Sequence, residues 1–204
     1  MGDKPLSLAG GNDGSQPQDL DDAELARRTA DGDRDAAQLL ILRYQGVVRS
    51  FLLKLSRRPA VADDVAQETF LKMLRYADRY DPKYPMKTWL LTIARRTWLN
   101  HLRRADNRVK SGEFSYMASN EADPAALVEL TDRQERAREL LGKALEKLSD
   151  PQRTAIVLFH QQQLPIQEIA KVMKMPEGTV KSHLHRARAA LREILEPQRE
   201  VIDQ

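Results

Sequence analysis

The 204-residue chain has no cysteine, which excludes disulfides, thiolate zinc sites, cysteine nucleophiles and redox sensing by its own thiols. Aromatic residues are scarce, at 5%. No apolar run approaches the roughly 20 residues that a membrane span requires, and the N-terminus has no basic region followed by an apolar core. No membrane insertion is expected, and the chain is expected to be cytoplasmic. The glycines form no phosphate cradle: "GGNDGS" lacks the lysine of a P-loop and lies in a stretch without periodicity. No nucleophile stands at useful spacing from a base, so no catalytic residue, cofactor or metal is expected, and the chain is expected not to be an enzyme.

What is present points to helices. Hydrophobic residues make up 41% and charged residues 31%, with alanine, leucine, arginine and glutamate prominent, a balance that favours an all-α fold. The length suits one medium domain or two small ones. The net charge of +3 conceals a strong segregation. Residues 1–24 carry six acidic groups against Lys4 alone, and residues 95–110 carry six basic groups against Asp106 alone. The positive stretches suit a phosphate backbone, and the acidic ones suit a basic protein surface.

Read along the chain, residues 1–21 mix Gly, Pro, Asp, Ser and Gln without periodicity and are expected to be a disordered acidic tail. After Asp33, a plausible cap, Leu40, Tyr44, Val47, Phe51 and Leu55 recur at helical steps. A second stripe contains Val61, Val65, Phe70, Met73, Leu74 and Ala77, with Asp64, Gln67, Glu68 and Lys72 directed away from it. The turn at 81–85 leads to a third helix with Trp89, Leu90, Ile93 and Ala94 on one face and Arg95, Arg96, Asn100, Arg103 and Arg104 around the rest. Periodicity then fades, and residues 105–132 read as a linker. It resumes with Leu140, Leu141, Ala144, Leu145 and Leu148, stops and restarts at Ser149, Asp150 and Pro151, and continues to Gln163. A short helix over 166–173, a three-residue joint and a longer helix from near Pro176 then have the lengths of a helix-turn-helix. Residues 197–204 are a C-terminal tail.

The last helix, "MPEGTVKSHLHRARAALRE", separates into a seam of Val180, Leu184, Ala187 and Leu191 and a polar surface of Thr179, Lys181, Ser182, His185, Arg186 and Arg188. A basic amphipathic helix alone is more often a solvated face; the short helix and tight turn before it favour a helix that enters a DNA groove. His183 and His185 point about 200° apart on a helix and cannot share an ion. Asp63, Asp64 and Glu68 lack the companions of acid/base chemistry and read as an exposed acidic face.

Two ordered blocks carry a resemblance. "DDVAQETFLKMLRYADRYDPKYPMKTWLLTIARRTWLNHLRR" and, beyond the linker, "LSDPQRTAIVLFHQQQLPIQEIAKVMKMPEGTVKSHLHRARAALR" closely resemble the extracytoplasmic-function (ECF, group 4) sigma factors of bacterial RNA polymerase. The resemblance implies two small helical domains joined by a flexible linker: a sigma-2 bundle over 22–104 and a sigma-4 helix-turn-helix domain over 133–196. It implies an initiation factor that binds core RNA polymerase, at the β′ clamp coiled coil and the β flap, and promoter DNA. An anti-sigma factor is a further partner that the family allows.

By the same resemblance, Asp63, Asp64, Gln67, Glu68 and Phe70 match the part of sigma-2 that docks on the clamp. Tyr80, Lys83 and Tyr84 fall in the loop that captures a flipped base, and Arg95, Arg96, Asn100, Arg103 and Arg104 in the helix that contacts the minus-ten element. Thr179, Lys181, Ser182, His185, Arg186 and Arg188 match contacts to the minus-thirty-five element. The chain departs from the family at Arg96, where many relatives carry asparagine, and at Lys174, where glycine is common. Two other readings remain: a helix-turn-helix regulator acting without polymerase, and a sigma mimic that sequesters an anti-sigma factor.

Overall fold

Helix boundaries follow local chemistry closely. The computed structural model describes residues 20–110 and 132–198; nearly all of the acidic tail, most of the expected linker and the end of the C-terminal tail lie outside the described residues. Within them the chain forms α1 (Asp22–Ala30), α2 (Arg34–Ser56), α3 (Pro59–Arg75), α4 (Met86–Lys110), α5 (Asp132–Glu146), α6 (Asp150–Ile156), α7 (Ile166–Met173) and α8 (Glu177–Leu195). The described residues are all-helical, in two clusters, α1–α4 and α5–α8.

Asp33 caps α2 as its position suggests: its carboxylate accepts from the backbone N–H groups of Asp35 and Ala36 at 2.9 and 3.1 Å, satisfying donors that a helix start leaves free. Ser149 and Gln152 form a capping box at the start of α6, with a proline in its first turn. After α6 the chain widens into a π-helical turn, Val157–Gln161. α4 runs to Lys110, further than its fading periodicity suggests, because Asp106, Asn107, Arg108 and Lys110 at its end are exposed and need no apolar stripe to remain helical.

The first cluster buries Leu40, Phe51, Leu52 and Leu55 of α2 against Val65 and Met73 of α3 and Leu90, Leu91 and Ala94 of α4. Truncating a buried ring such as Phe51 to alanine costs about 3–5 kcal/mol in comparable cores. Leu74, expected in the buried stripe, is instead 38% exposed. The buried face of α3 is defined by Ala62, Val65, Ala66, Thr69 and Met73, and Leu74 falls one residue beyond it.

In the second cluster Val180, Leu184 and Ala187 are buried, and Leu191 packs at the margin. The joint between α7 and α8 is the expected one. Lys174 takes a left-handed conformation at φ 52°, ψ 50° and its N–H closes the last turn of α7, so the residue that replaces glycine adopts the geometry for which glycine is suited.

The clusters are docked on each other. α4 packs against α7, and α2 packs against α6 and the π-helical turn. This docking positions the candidate sites.

Candidate nucleic-acid interface

α8 presents Thr179, Lys181, Ser182, His185, Arg186 and Arg188, all exposed. Lys181, Ser182, His185 and Arg186 line one open concavity. Ser182 is tied to its own helix, its hydroxyl donating to the Gly178 carbonyl at 3.0 Å. The Arg188 guanidinium lies 4.9 Å from the centre of the Phe159 ring, which restrains it. Lys181, His185 and Arg186 carry no such restraint from any described residue, so their donors are available to an external acceptor. The three-residue joint fixes α8 across α7, leaving its N-terminal turns outermost, as groove entry requires.

The second basic region lies on α4 and the loop before it. Tyr80 donates its hydroxyl to the Tyr84 carbonyl at 2.8 Å and packs its ring 5.4 Å from Trp89. Lys83 is exposed and its backbone N–H donates to Asp81 at 3.0 Å. Tyr84 remains 42% exposed, with the Lys171 ammonium of α7 4.2 Å from its ring centre. Arg96, Arg103 and Arg104 are exposed and Asn100 is half-buried.

Arg95 departs from its expected place among exposed cations. Only 7% of it is accessible, and its guanidinium lies 3.6 Å from the Asp150 carboxylate of α6. Burial pushes the guanidinium down in pKa, and Asp150 opposes that shift. Trp98, one turn further along, donates its indole N–H to the same carboxylate at 3.0 Å. Helical periodicity places Arg95 opposite the α2–α3 core, but it carries no information about a second cluster packing there.

A third surface lies on α3. Asp63, Asp64 and Gln67 are exposed; Asp63 pairs with Arg49 at 2.6 Å. Glu68 is held by Lys72 at 2.7 Å and Arg104 at 3.4 Å. The hydrogen bond from Lys72 is the main reason its carboxyl sits below the ordinary carboxylate range. Phe70 is half-buried against the core. Sequence reasoning missed Leu71, which is 62% exposed. Asp64, Gln67, Leu71 and Leu74 follow steps of three, four and three, so they form one outward stripe of mixed acidic and apolar character. The signal was in those steps, but two leucines in a helix are read first as core.

Comparison with known proteins places the chain in a family. The chain matches the family models Sigma-70 region 2 over residues 40–108 and Sigma-70 region 4 over residues 138–191. An ECF RNA polymerase sigma-E factor of Salmonella typhimurium is 34% identical over 188 residues, covering 88% of this chain and 97% of that protein. The chain belongs to the ECF sigma-factor family. The RNA polymerase sigma-H factor of Pseudomonas aeruginosa is 30% identical over 184 residues, covering 86% of this chain and 94% of that one.

Two solved structures are similar along both clusters. The sigma factor RpoE from Bartonella quintana, in complex with the anti-sigma factor NepR, matches with a TM-score of 0.67 at 29% identity, covering 78% of this chain and 96% of that one. CnrH, in complex with the cytosolic domain of CnrY, matches at 0.63 and 25% identity, covering 86% and 97%. As an ECF sigma factor the protein is a non-catalytic subunit that directs core RNA polymerase to promoters. Among the described residues no helix is long and apolar enough to cross a membrane.

Proposed function

We propose that this sigma factor reads the minus-thirty-five element with α8 and captures the minus-ten element with the 80–84 loop and α4, while the outer stripe of α3 docks on the β′ clamp coiled coil. The α8 surface carries the reading. Lys181, His185 and Arg186 project around one open concavity at the exposed start of the second helix of a helix-turn-helix. Arginine can pair bidentately with guanine, and lysine supplies phosphate attraction without reading a base. Tyr80 and Tyr84 can stack on unpaired bases, whose faces accept aromatic rings whatever the sequence. Arg96, Asn100, Arg103 and Arg104 supply the phosphate and edge contacts beside them. On α3, an acidic rim around Leu71 and Leu74 suits a basic helical partner with an apolar seam.

The protein would act in the cytoplasm with the polymerase, contacting the β flap through sigma-4. An anti-sigma factor is a further partner, supported by the likeness to the sigma factor RpoE, whose structure holds the anti-sigma factor NepR. Transcription in vitro with purified core polymerase on a promoter library tests the reading. Initiation at a subset of promoters, dependent on the sigma factor, is expected. DNA binding by a free dimer without any initiation would favour an autonomous regulator, and binding to an anti-sigma factor without DNA or core binding would favour a mimic.

A further inference from the structure

Arg28 and Arg43 of the first cluster are held by the carboxylates of Asp33 and Asp22. Arg188 of α8 is held differently. Its guanidinium lies over the Phe159 ring, 4.9 Å from the ring centre, and it forms no ion pair with any described residue. A carboxylate restrains a cation and neutralises it, whereas a phenyl ring restrains it and leaves its charge in place. The Arg188 donors therefore stay available to an anion.

Phe159 reaches this place through the turn that carries it. α6 ends at Ile156, and the π-helical turn that follows is closed by the Gln162 N–H on the Val157 carbonyl at 3.0 Å. Val157 and Leu158 are buried, Phe159 is half-buried against the core, and His160 is exposed. The His160 ring stands nearly perpendicular to the phenyl ring, with centroids 5.0 Å apart, and gives it a second contact. Turns of this type occur frequently at functional sites.

Arg188 belongs to one flank of α8. Lys181, His185, Arg188 and Arg192 are all exposed and follow steps of four, three and four, so they share a face about 100° round from the buried seam. Residues 181–192 include no acid. Arg186 lies on the other flank with Ser182, one turn earlier. A helix in a groove offers one side to base edges and another to the phosphate wall, and the two flanks suit that division.

We propose that Phe159 is a positioning residue for DNA binding by sigma-4: its ring holds the Arg188 guanidinium out along the cationic flank, where it grips a phosphate of the duplex carrying the minus-thirty-five element. The proposal rests on the assignment of α8 to that element. A side chain ordered beforehand loses less rotamer freedom on binding than a free one. The ring thus acts on affinity through Arg188 and adds no sequence information.

The test uses holoenzyme, the full-length chain with core polymerase, and fluorescent duplex promoters recovered from the promoter library, with affinity measured by anisotropy. Phe159→Leu keeps an apolar side chain and removes the ring face. It should weaken binding roughly two- to fivefold, the factor that an exposed cation–π contact represents, and by the same factor on every single-base variant of the upstream element. Phe159→Tyr restores the ring and should bind as the parent does. Arg188→Ala should weaken binding and lower the salt slope by about one, and adding Phe159→Leu to it should cost nothing further. A ring that served packing alone would cost the Arg188→Ala protein the same factor as the parent. Core binding and helix content, the latter by circular dichroism, should be unchanged throughout.

Parental affinity in Phe159→Leu overturns the proposal, as does an equal loss in Phe159→Tyr. An unchanged salt slope in Arg188→Ala, full additivity of the two substitutions, or a loss confined to one base position also overturns it. If Phe159→Leu lowers helix content or core binding, Phe159→Met takes its place under the same readouts. Initiation by the parent is scored separately: its absence from every promoter fails the sigma-factor reading and this proposal with it, whereas initiation combined with any of the contrary results fails the positioning role alone.

Discussion

Arg186 carries the most specific expectation at the scale of the residue. It is exposed on the reading helix, and its guanidinium makes no hydrogen bond or ion pair with a described residue, so its fork is free to pair with a guanine edge. Arg186→Ala should remove about 1–3 kcal/mol of discrimination at one or two base positions while core binding persists. Lys181→Ala should instead weaken all promoter variants together and reduce the salt slope by about one. Transcription from single-base promoter variants separates the two effects. A uniform loss with Arg186→Ala would assign it to the backbone. His101 carries a pH expectation. Its ring stacks on Trp98 at 5.8 Å, and burial, followed by Arg108, holds its pKa below the ordinary 6.5, with Asp64 and Glu68 opposing and Arg104 reinforcing the shift. A histidine depressed in this way binds fewer protons folded than unfolded, so stability rises with pH through the window below 6.5 and falls as acid charges the ring. His101→Gln should flatten that slope, measured as the urea midpoint between about pH 5 and 7.5. An unchanged slope would assign it to other groups.

α3 is the element with most of its sides in use. One face is core, one meets α4 through Glu68, Lys72 and Arg104, and the third displays Asp64, Gln67, Leu71 and Leu74. Asp64→Lys with Glu68→Lys should weaken core polymerase binding by about 2–5 kcal/mol, the range for breaking interfacial charge pairs, with helix content unchanged. Unaltered co-purification with core would remove α3 from the interface. The elements themselves were legible where a few neighbouring residues decide them. Asp33 as cap, the Ser149–Pro151 restart and the α7–α8 joint depend on contacts within one turn, and the structure has each. Leu71 and Leu74 were not separable from core because hydrophobicity is the same signal whether a helix packs inward or meets a partner. Arg95 shows the limit more sharply: its burial is due to Asp150, fifty-five positions away, and no local pattern encodes that distance.

At the scale of the whole molecule, two reading surfaces on one chain must reach two DNA elements together. Linked sites gain effective affinity only when their separation fits. Inserting half a helical turn of DNA between the elements of a responsive promoter should therefore abolish initiation, and restoring a full turn should recover part of it, measured by transcript yield. Equal yield from all spacers would mean that only one element is read. The candidate sites on α3 and α8 could be located from sequence because each lies on one helix. Their spatial relation could not, since it follows from the seam between the clusters.

That seam also gives the molecule an age. Arg153 donates to the Leu55 carbonyl, 98 positions earlier, and Asp150 faces Arg95, 55 positions earlier. Synthesis proceeds from the N-terminus, so α2, α3 and α4 leave the ribosome before either residue exists. At roughly 5–20 residues per second, adding the residues from 110 to 153 takes on the order of 2–9 s. During that interval α4 is displayed with nothing opposite it. A nascent chain beside polymerase meets its partner without first undoing a contact, and a released chain must undo one, so newborn and stored molecules differ in how quickly they can be recruited.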